Sequence, residues 1–197
     1  MKYSIIHHPS REINPSIMRE LDKVTVYTDF RNEGCTAMHL KALADASATY
    51  EPTVIIEDDA ILCHGFADLA KYYFDVVLGE SDDIDAVSFY AGRGAPVYIQ
   101  DAYSEVIKET EETAKNYFCL PSLYHAVCYA INPRRYECIE KLKKTSSLPI
   151  DELLANKLHK VKYAWPCLAD HDDSQPSIVE HEGVRPTVQR VAWGFRG

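Results

Sequence analysis

The chain has 197 residues, with 21 Lys and Arg against 30 Asp and Glu, a formal charge of −9. Apolar residues make up 46% and charged residues 26%, the balance expected of a globular protein and not of a disordered or fibrous one. The acidic excess argues against gripping nucleic acid by bulk charge, and no apolar run approaches the roughly 20 residues that span a bilayer.

Tyr3-Ser4-Ile5-Ile6 is predicted as the first strand, ending at His7-His8-Pro9-Ser10-Arg11. A short helix is predicted from Pro15 to about Leu21, with Asn14 as N-cap. Val24 to Tyr27 reads as a β-branched strand closed by Thr28-Asp29, and Thr36 to Ala46 as a helix. Pro52 opens Thr53-Val54-Ile55-Ile56, a continuous apolar run that fits a buried central strand. It feeds straight into Glu57-Asp58-Asp59. Phe66 to Val77 reads as a helix, Ala86 to Tyr90 as a strand, and Val97 to Gln100 as a short strand. Residues 101–117 read as either helix or mobile loop. Then come a strand from Tyr124 to Ile131, helices from Pro133 to about Lys144 and from Asp151 to Leu158, and a strand from Val161 to Trp165.

Strands alternating with helices over the first 90 residues predict one α/β domain, a sandwich with a mainly parallel sheet. Ligands of such sheets bind at the carboxyl ends of the strands. His8 to Arg11, Asp29 and the acidic triplet all follow predicted strands, so they should gather at one edge.

Three consecutive carboxylates repel one another unless a cation compensates them. A hard divalent ion, Mg²⁺ or Mn²⁺, shared with a phosphate ligand is one resolution, and a solvated acidic turn is the other. Asp170-His171-Asp172-Asp173 offers a neutral imidazole with carboxylates to orient it, so His171 is a candidate metal ligand. Ser174 and Ser177 are either phosphate contacts or turn formers. Arg11 is a candidate diphosphate contact. Asp151 and Glu152 open a predicted helix, where acids ordinarily serve the helix dipole, although a general base can sit there too. Lys141, Lys143 and Lys144 read as a solvated helix end.

No G-x-x-x-x-G-K-[ST] loop and no G-x-G-x-x-G fingerprint follows a strand, which argues against P-loop and dinucleotide-binding enzymes. Six cysteines (Cys35, Cys63, Cys119, Cys128, Cys138, Cys167) stand at wide spacings without a C-x-x-C pair. The pattern argues against a zinc knuckle and for free buried thiols. The short apolar stretch after Met1 does not read as a secretory signal, so the cytoplasm is the expected compartment.

Val54-Ile55-Ile56-Glu57-Asp58-Asp59-Ala60 resembles the strand-plus-acid motif of GT-A fold glycosyltransferases, the E-D-D variant of D-x-D. More narrowly, the chain resembles the family 25 glycosyltransferases of lipopolysaccharide biosynthesis. Glu33-Gly34-Cys35-Thr36-Ala37-Met38-His39-Leu40 resembles their G-x-G-C-x-x-S-H helix start, with Met38 in place of serine. Phe66, Tyr124 to Tyr136, Pro149-Ile150-Asp151 and Pro166 to Ser177 resemble later pieces in the same order.

The resemblance implies a GT-A-like α/β/α sandwich, with a nucleotide-sugar half over about 1–100 and an acceptor half over about 101–197. It implies Asp59 and His171 as ligands of Mn²⁺ or Mg²⁺. His8, Arg11, Asp29, His39, Glu57 and Asp58 would lie on the donor side, and Asp151, with Glu152 second, would be the base. The implied reaction is inverting transfer of a hexose from a nucleotide sugar, UDP-linked by expectation, to a glycan or other hydroxyl acceptor. A nucleic-acid base as acceptor is disfavoured by charge. Two rival readings are a metal-dependent phosphohydrolase on the same acidic edge, and a non-catalytic carbohydrate- or cation-binding module in which Tyr90, Tyr98 and Tyr103 stack on sugar.

Overall fold

The computed structural model describes residues 1–78, 83–94, 97–137, 148–174 and 190–197. Its centre is built from the apolar runs. β1 (Lys2–His7) and β3 (Thr53–Glu57) carry Ile5, Ile6, Val54, Ile55 and Ile56, all buried, and lie side by side in parallel. Residues Thr53 to Ile56 are buried on both faces, which is why no polar alternation shows in their sequence.

Around this pair a seven-stranded sheet forms in the order β2-β1-β3-β7-β5-β8-β6. The other members are β2 (Thr25–Thr28), β5 (Ala86–Ser88), β6 (Tyr117–Leu120), β7 (Cys128–Ile131) and β8 (Val161–Ala164). β2, β1 and β3 are parallel, β7 runs antiparallel to β3 and β5, β8 is parallel to β5, and β6 is antiparallel to β8. The sheet is therefore mixed, with β7 and β6 against the common direction. A separate two-stranded ribbon pairs β4 (Ala60–Leu62) with β9 (Ala169–His171).

Among the described residues, α-helices connect the strands: α1 (Pro15–Glu20), α2 (Cys35–Thr49), α3 (Phe66–Tyr72), α4 (Val97–Glu112) and α5 (Ile150–Ala155). α1 starts as its sequence predicts, with Pro15 in the first turn and the Asn14 side chain accepting the Ser16 N–H at 3.0 Å. α2 packs on β1, β2 and β3 through Met38, Ala42, Leu43 and Ala46. α3 runs on into a π-helical turn over Tyr73–Leu78, and Phe66 anchors it against Phe89, edge to face at 5.5 Å. At the far edge the register partners Phe118 of β6 and Tyr163 of β8 stack 5.2 Å apart.

The structure corrects several expected elements. Val97 to Gln100 is the first turn of α4 and not a strand, and 101–112 continue that helix. The amphipathic period of this stretch was masked by its acidic content. The strand expected over Tyr124 to Ile131 forms only from Cys128; the Val127 carbonyl still accepts the Glu57 N–H at 2.8 Å, but the Ala126 N–H goes to Asp151 and the Tyr124 N–H to the Tyr163 hydroxyl. β4, β6 and β9 had no expectation at all. Each is three or four residues long, too short for an alternation to show. The helix expected from Pro133 to Lys144 starts as a 3₁₀ turn over Pro133–Arg135 and is α-helical at 136–137, while the rest of it, with Lys141, Lys143 and Lys144, lies outside the described residues. Cys63, Cys128 and Cys167 are buried free thiols as expected, whereas Cys35 and Cys119 are exposed and Cys138 is outside the described residues. Among the described residues no helix is long and apolar enough to cross a membrane.

Candidate functional site

Ile6 of β1 pairs with Glu57 of β3, so the segments that follow leave the sheet together. This places His7-His8 beside Asp58-Asp59. Asp58 is buried and its carboxylate is taken up internally. Its Oδ2 accepts the His8 N–H at 2.8 Å and lies 3.0 Å from His7 Nδ1, and its Oδ1 accepts from Arg11 at 3.2 Å. The same Arg11 nitrogen donates to Asp59 Oδ2 at 2.5 Å. Arg11 thus faces the acids, where the sequence reading aimed it at a diphosphate. The compensating cation that the triplet demands is supplied in part by the chain itself. His8 adds its backbone N–H, while its ring Nδ1 lies 2.7 Å from Ser10 Oγ.

The β4–β9 ribbon brings the distant cluster to the same place. Ala60 pairs with His171, and the Asp172 N–H donates to the Asp59 carbonyl at 2.8 Å. His171 Nε2 therefore lies 3.3 Å from Asp59 Oδ2. Its Nδ1 is 3.0 Å from Asp173 Oδ1, close enough for ion pairing but off the hydrogen-bond axis. Burial alone would raise the Asp59 pKa, yet His171 and Arg11 outweigh it and hold the carboxyl below its ordinary range. Burial alone would lower His171, yet Asp59 outweighs it and pushes the imidazole up. Asp59 Oδ1 is buried with no hydrogen-bond partner. A free carboxylate oxygen beside an imidazole oriented by a second carboxylate is a donor set that fits Mn²⁺ better than Mg²⁺. Ser174 caps the Asp172 carboxylate through its N–H and Oγ, the turn-forming role, and Ser177 lies outside the described residues.

Asp29 follows β2 directly. Its two oxygens accept the N–H groups of Glu33 and Gly34 at 2.8 and 2.7 Å. Burial works to raise its pKa, but these donors outweigh it and hold the carboxyl low. They fix the turn into α2, where Gly34 takes φ +92°, a conformation that disfavours any side chain. Asp29 is therefore a positioning residue for the start of α2.

That helix start carries the second cluster. Cys35 and His39, one turn apart, both reach Glu57 Oε1, at 3.5 Å from Sγ and 3.3 Å from Nε2. The other His39 nitrogen, Nδ1, lies 3.0 Å from the hydroxyl of buried Tyr129. The Cys35 residue is open to solvent, but its Sγ points inward. Crowding by protein atoms, with the Glu57 carboxylate second, pushes the thiol pKa up.

Asp151 opens α5, and its Oδ1 accepts the Ala126 N–H at 2.7 Å. The residue is open to solvent while protein atoms crowd its carboxyl. Loss of surrounding water, then the Glu57 charge, pushes its pKa up to about 7. Glu152, next along, is exposed. His125 lies edge-on to Tyr90 and stacked near Tyr103, with a buried Nε2 lacking a hydrogen-bond partner. Desolvation brings its pKa down to about 4, so it is neutral at pH 7.

The predicted residues Glu57, Asp58, Asp59, Arg11, His8 and His171 thus meet at one edge, with His39 and Asp151 reached through Glu57. The sequence does not single out Cys35 as a site residue, nor Tyr129 or His125, whereas Asp173 belongs to the cluster expected to orient His171. The one-turn spacing of Cys35 and His39 was the available signal for the first. Tyr90 and Tyr103 are buried, 1% and 0% exposed, and Tyr98 is 72% exposed, so the three form no common face for stacking on a sugar. A separate concavity of about 300 Å³ at the opposite sheet edge is lined by Asp85, Arg135 and Lys160. Arg135 pairs there with Asp85, and Lys160 with Asp83. Neither protein-family models nor curated proteins yield a match to this chain.

Proposed function

We propose that the protein is a metal-dependent glycosyltransferase of GT-A-like fold, working in the cytoplasm. It moves a hexose from a nucleotide sugar, UDP-linked, to an acceptor hydroxyl with inversion. The observation that carries this reading is the meeting, at the carboxyl edge of a sheet, of a metal-type Asp59–His171 pair with a carboxyl at Asp151 that titrates near neutrality.

A Mn²⁺ or Mg²⁺ ion would be held by Asp59 and His171 and would supply neutralising charge to the leaving diphosphate. Arg11 adds a fixed positive charge beside that position and keeps Asp58 and Asp59 in place. His39 and Cys35 hold Glu57 toward the donor side. Asp151 removes the proton from the acceptor hydroxyl. The acceptor oxygen bonds to the anomeric carbon from the opposite face, and the bond to the diphosphate oxygen breaks with its electron pair. Ala126 holds Asp151 in position through its N–H. The acceptor is a glycan or another hydroxyl compound.

A melting-temperature series with Mn²⁺, UDP and both together tests the reading. Ligand at about a hundred times its Kd adds roughly 2.7 kcal/mol to the native state. UDP should raise the melting temperature only when Mn²⁺ is present, and Asp59→Ala should abolish that increment. No nucleotide-dependent shift, together with turnover of simple phosphate esters, would replace the transferase reading with a phosphohydrolase.

A further inference from the structure

Cys35 and His39 stand at i and i+4 on the first turn of α2, so their side chains share one face. The end of β3 delivers Glu57 to that face. The three ligand atoms, Sγ, Nε2 and a carboxylate oxygen, all lie within 4.8 Å of one another. We propose that Cys35, His39 and Glu57 form a site for one thiophilic divalent cation of the zinc class, with its fourth position open to solvent. The site is separate from the Asp59–His171 pair and does not rest on the transferase reading.

The distances support a tetrahedral ion. Zinc bonds of about 2.3 Å to sulfur and about 2.0–2.1 Å to nitrogen or oxygen, at tetrahedral angles, set sulfur and oxygen about 3.5 Å apart. The same bonds set nitrogen and oxygen about 3.3 Å apart. In the protein the corresponding separations, both to Glu57 Oε1, are 3.5 Å from Cys35 Sγ and 3.3 Å from His39 Nε2. Without metal, two donor protons converge on that one carboxylate oxygen. An ion replaces both contacts: the thiol proton passes to solvent as the metal–sulfur bond forms, and the ring proton moves from Nε2 to Nδ1, which donates to the Tyr129 hydroxyl and leaves the Nε2 lone pair for the metal.

The surroundings are those of a ligand histidine. His39 is fully buried, its Nδ1 is engaged by the Tyr129 hydroxyl, and its ring stacks on Tyr129 with planes 11° apart. Such a partner fixes which nitrogen faces the metal. A thiolate ligand selects zinc-class ions over Mg²⁺ or Mn²⁺, and three protein ligands leave the fourth position for water or another small ligand. The missing C-x-x-C pair excludes a zinc knuckle but not this helix-borne arrangement.

Titration of the full chain with Co²⁺, in the absence of nucleotide and sugar, tests the site. One Co²⁺ per chain should give a thiolate-to-cobalt charge-transfer band with intense tetrahedral visible bands, and Zn²⁺ should abolish them by displacement. Cys35→Ser should remove the charge-transfer band. Tyr129→Phe should keep it but weaken Co²⁺ binding by about tenfold to a hundredfold. Circular dichroism checks the fold of each variant. If Cys35→Ser does not fold, Glu57→Gln is the deciding variant, with an expected loss in affinity of about tenfold or more. No charge-transfer band at saturating Co²⁺, an unchanged band in folded Cys35→Ser, or wild-type affinity in folded Glu57→Gln would each overturn the proposal. Because these spectra need no donor or acceptor, they are independent of the Mn²⁺–UDP melting test.

Discussion

Arg11→Met should destabilise the protein by about 3–5 kcal/mol, the largest stability loss expected from any single substitution at the site. The guanidinium bridges Asp58 and Asp59, whose side chains are 3% and 4% exposed. Methionine fills similar space but leaves two adjacent carboxylates with less compensation in a place water barely reaches. His7 remains beside Asp58 and His171 beside Asp59, so the loss stays within the range for one broken buried pair. The sign of the pH dependence follows from Asp59. Its pKa is lower in the folded state than in the unfolded chain. The stability it contributes is present above the ordinary aspartate value and is lost as pH falls through the folded one. The gap between wild type and Arg11→Met should therefore narrow in acid, as Asp59 protonates in the variant and its repulsion with Asp58 is relieved. Denaturant unfolding at pH 7 and at pH 4 measures both points. Mn²⁺ should restore part of the lost stability at pH 7, since a divalent cation on Asp59 replaces the missing charge. An unchanged unfolding midpoint at pH 7 would mean that Arg11 is incidental to the acids it touches.

How much of this was legible before the fold was known differs from residue to residue. Val54 to Ile56 running into Glu57-Asp58-Asp59 announces a buried strand that delivers acids to a sheet edge, because a strand covered on both faces must be apolar throughout. Asn14-Pro15 announces the start of α1 for an equally local reason. The pairing of His171 with Asp59 has no local cause. It depends on β4 and β9, whose three-residue pairing across more than a hundred positions leaves no periodic trace. The inward turn of Arg11 was illegible for a related reason. A lone arginine after a strand suits an anion in solution or a carboxylate in the fold equally well, and only the register of β1 against β3 decides between them. Asp151 is the intermediate case. Its place at a helix start could be read, but the crowding of its carboxyl and, second, its proximity to Glu57, which change its chemistry, arise where α5 packs near α2.

Asp151→Asn should lower sugar transfer by a hundredfold or more, about 2.7 kcal/mol of transition-state stabilisation, while leaving UDP and Mn²⁺ binding intact. Asparagine keeps the shape and an oxygen for the Ala126 N–H, so the start of α5 stays in place. It cannot accept the hydroxyl proton. The wild-type rate should rise tenfold per pH unit below about 7 and level off above it, because the carboxyl must be ionised to act as base and its pKa is pushed up to about 7. The residual activity of the variant should lack that rise. Stability should move in the opposite sense. A carboxyl whose pKa is higher folded than unfolded holds its proton preferentially in the native state, so it costs stability as pH climbs from about 4 toward 7. Asp151→Asn removes it, so the variant should melt slightly higher than wild type at pH 8 and indistinguishably at pH 4. A group that only capped the helix would show the reverse, a loss of stability at pH 8 when its charge at the α5 amino terminus is removed. Melting curves at the two pH values therefore separate a base held at functional cost from a structural acid, even before an acceptor is known.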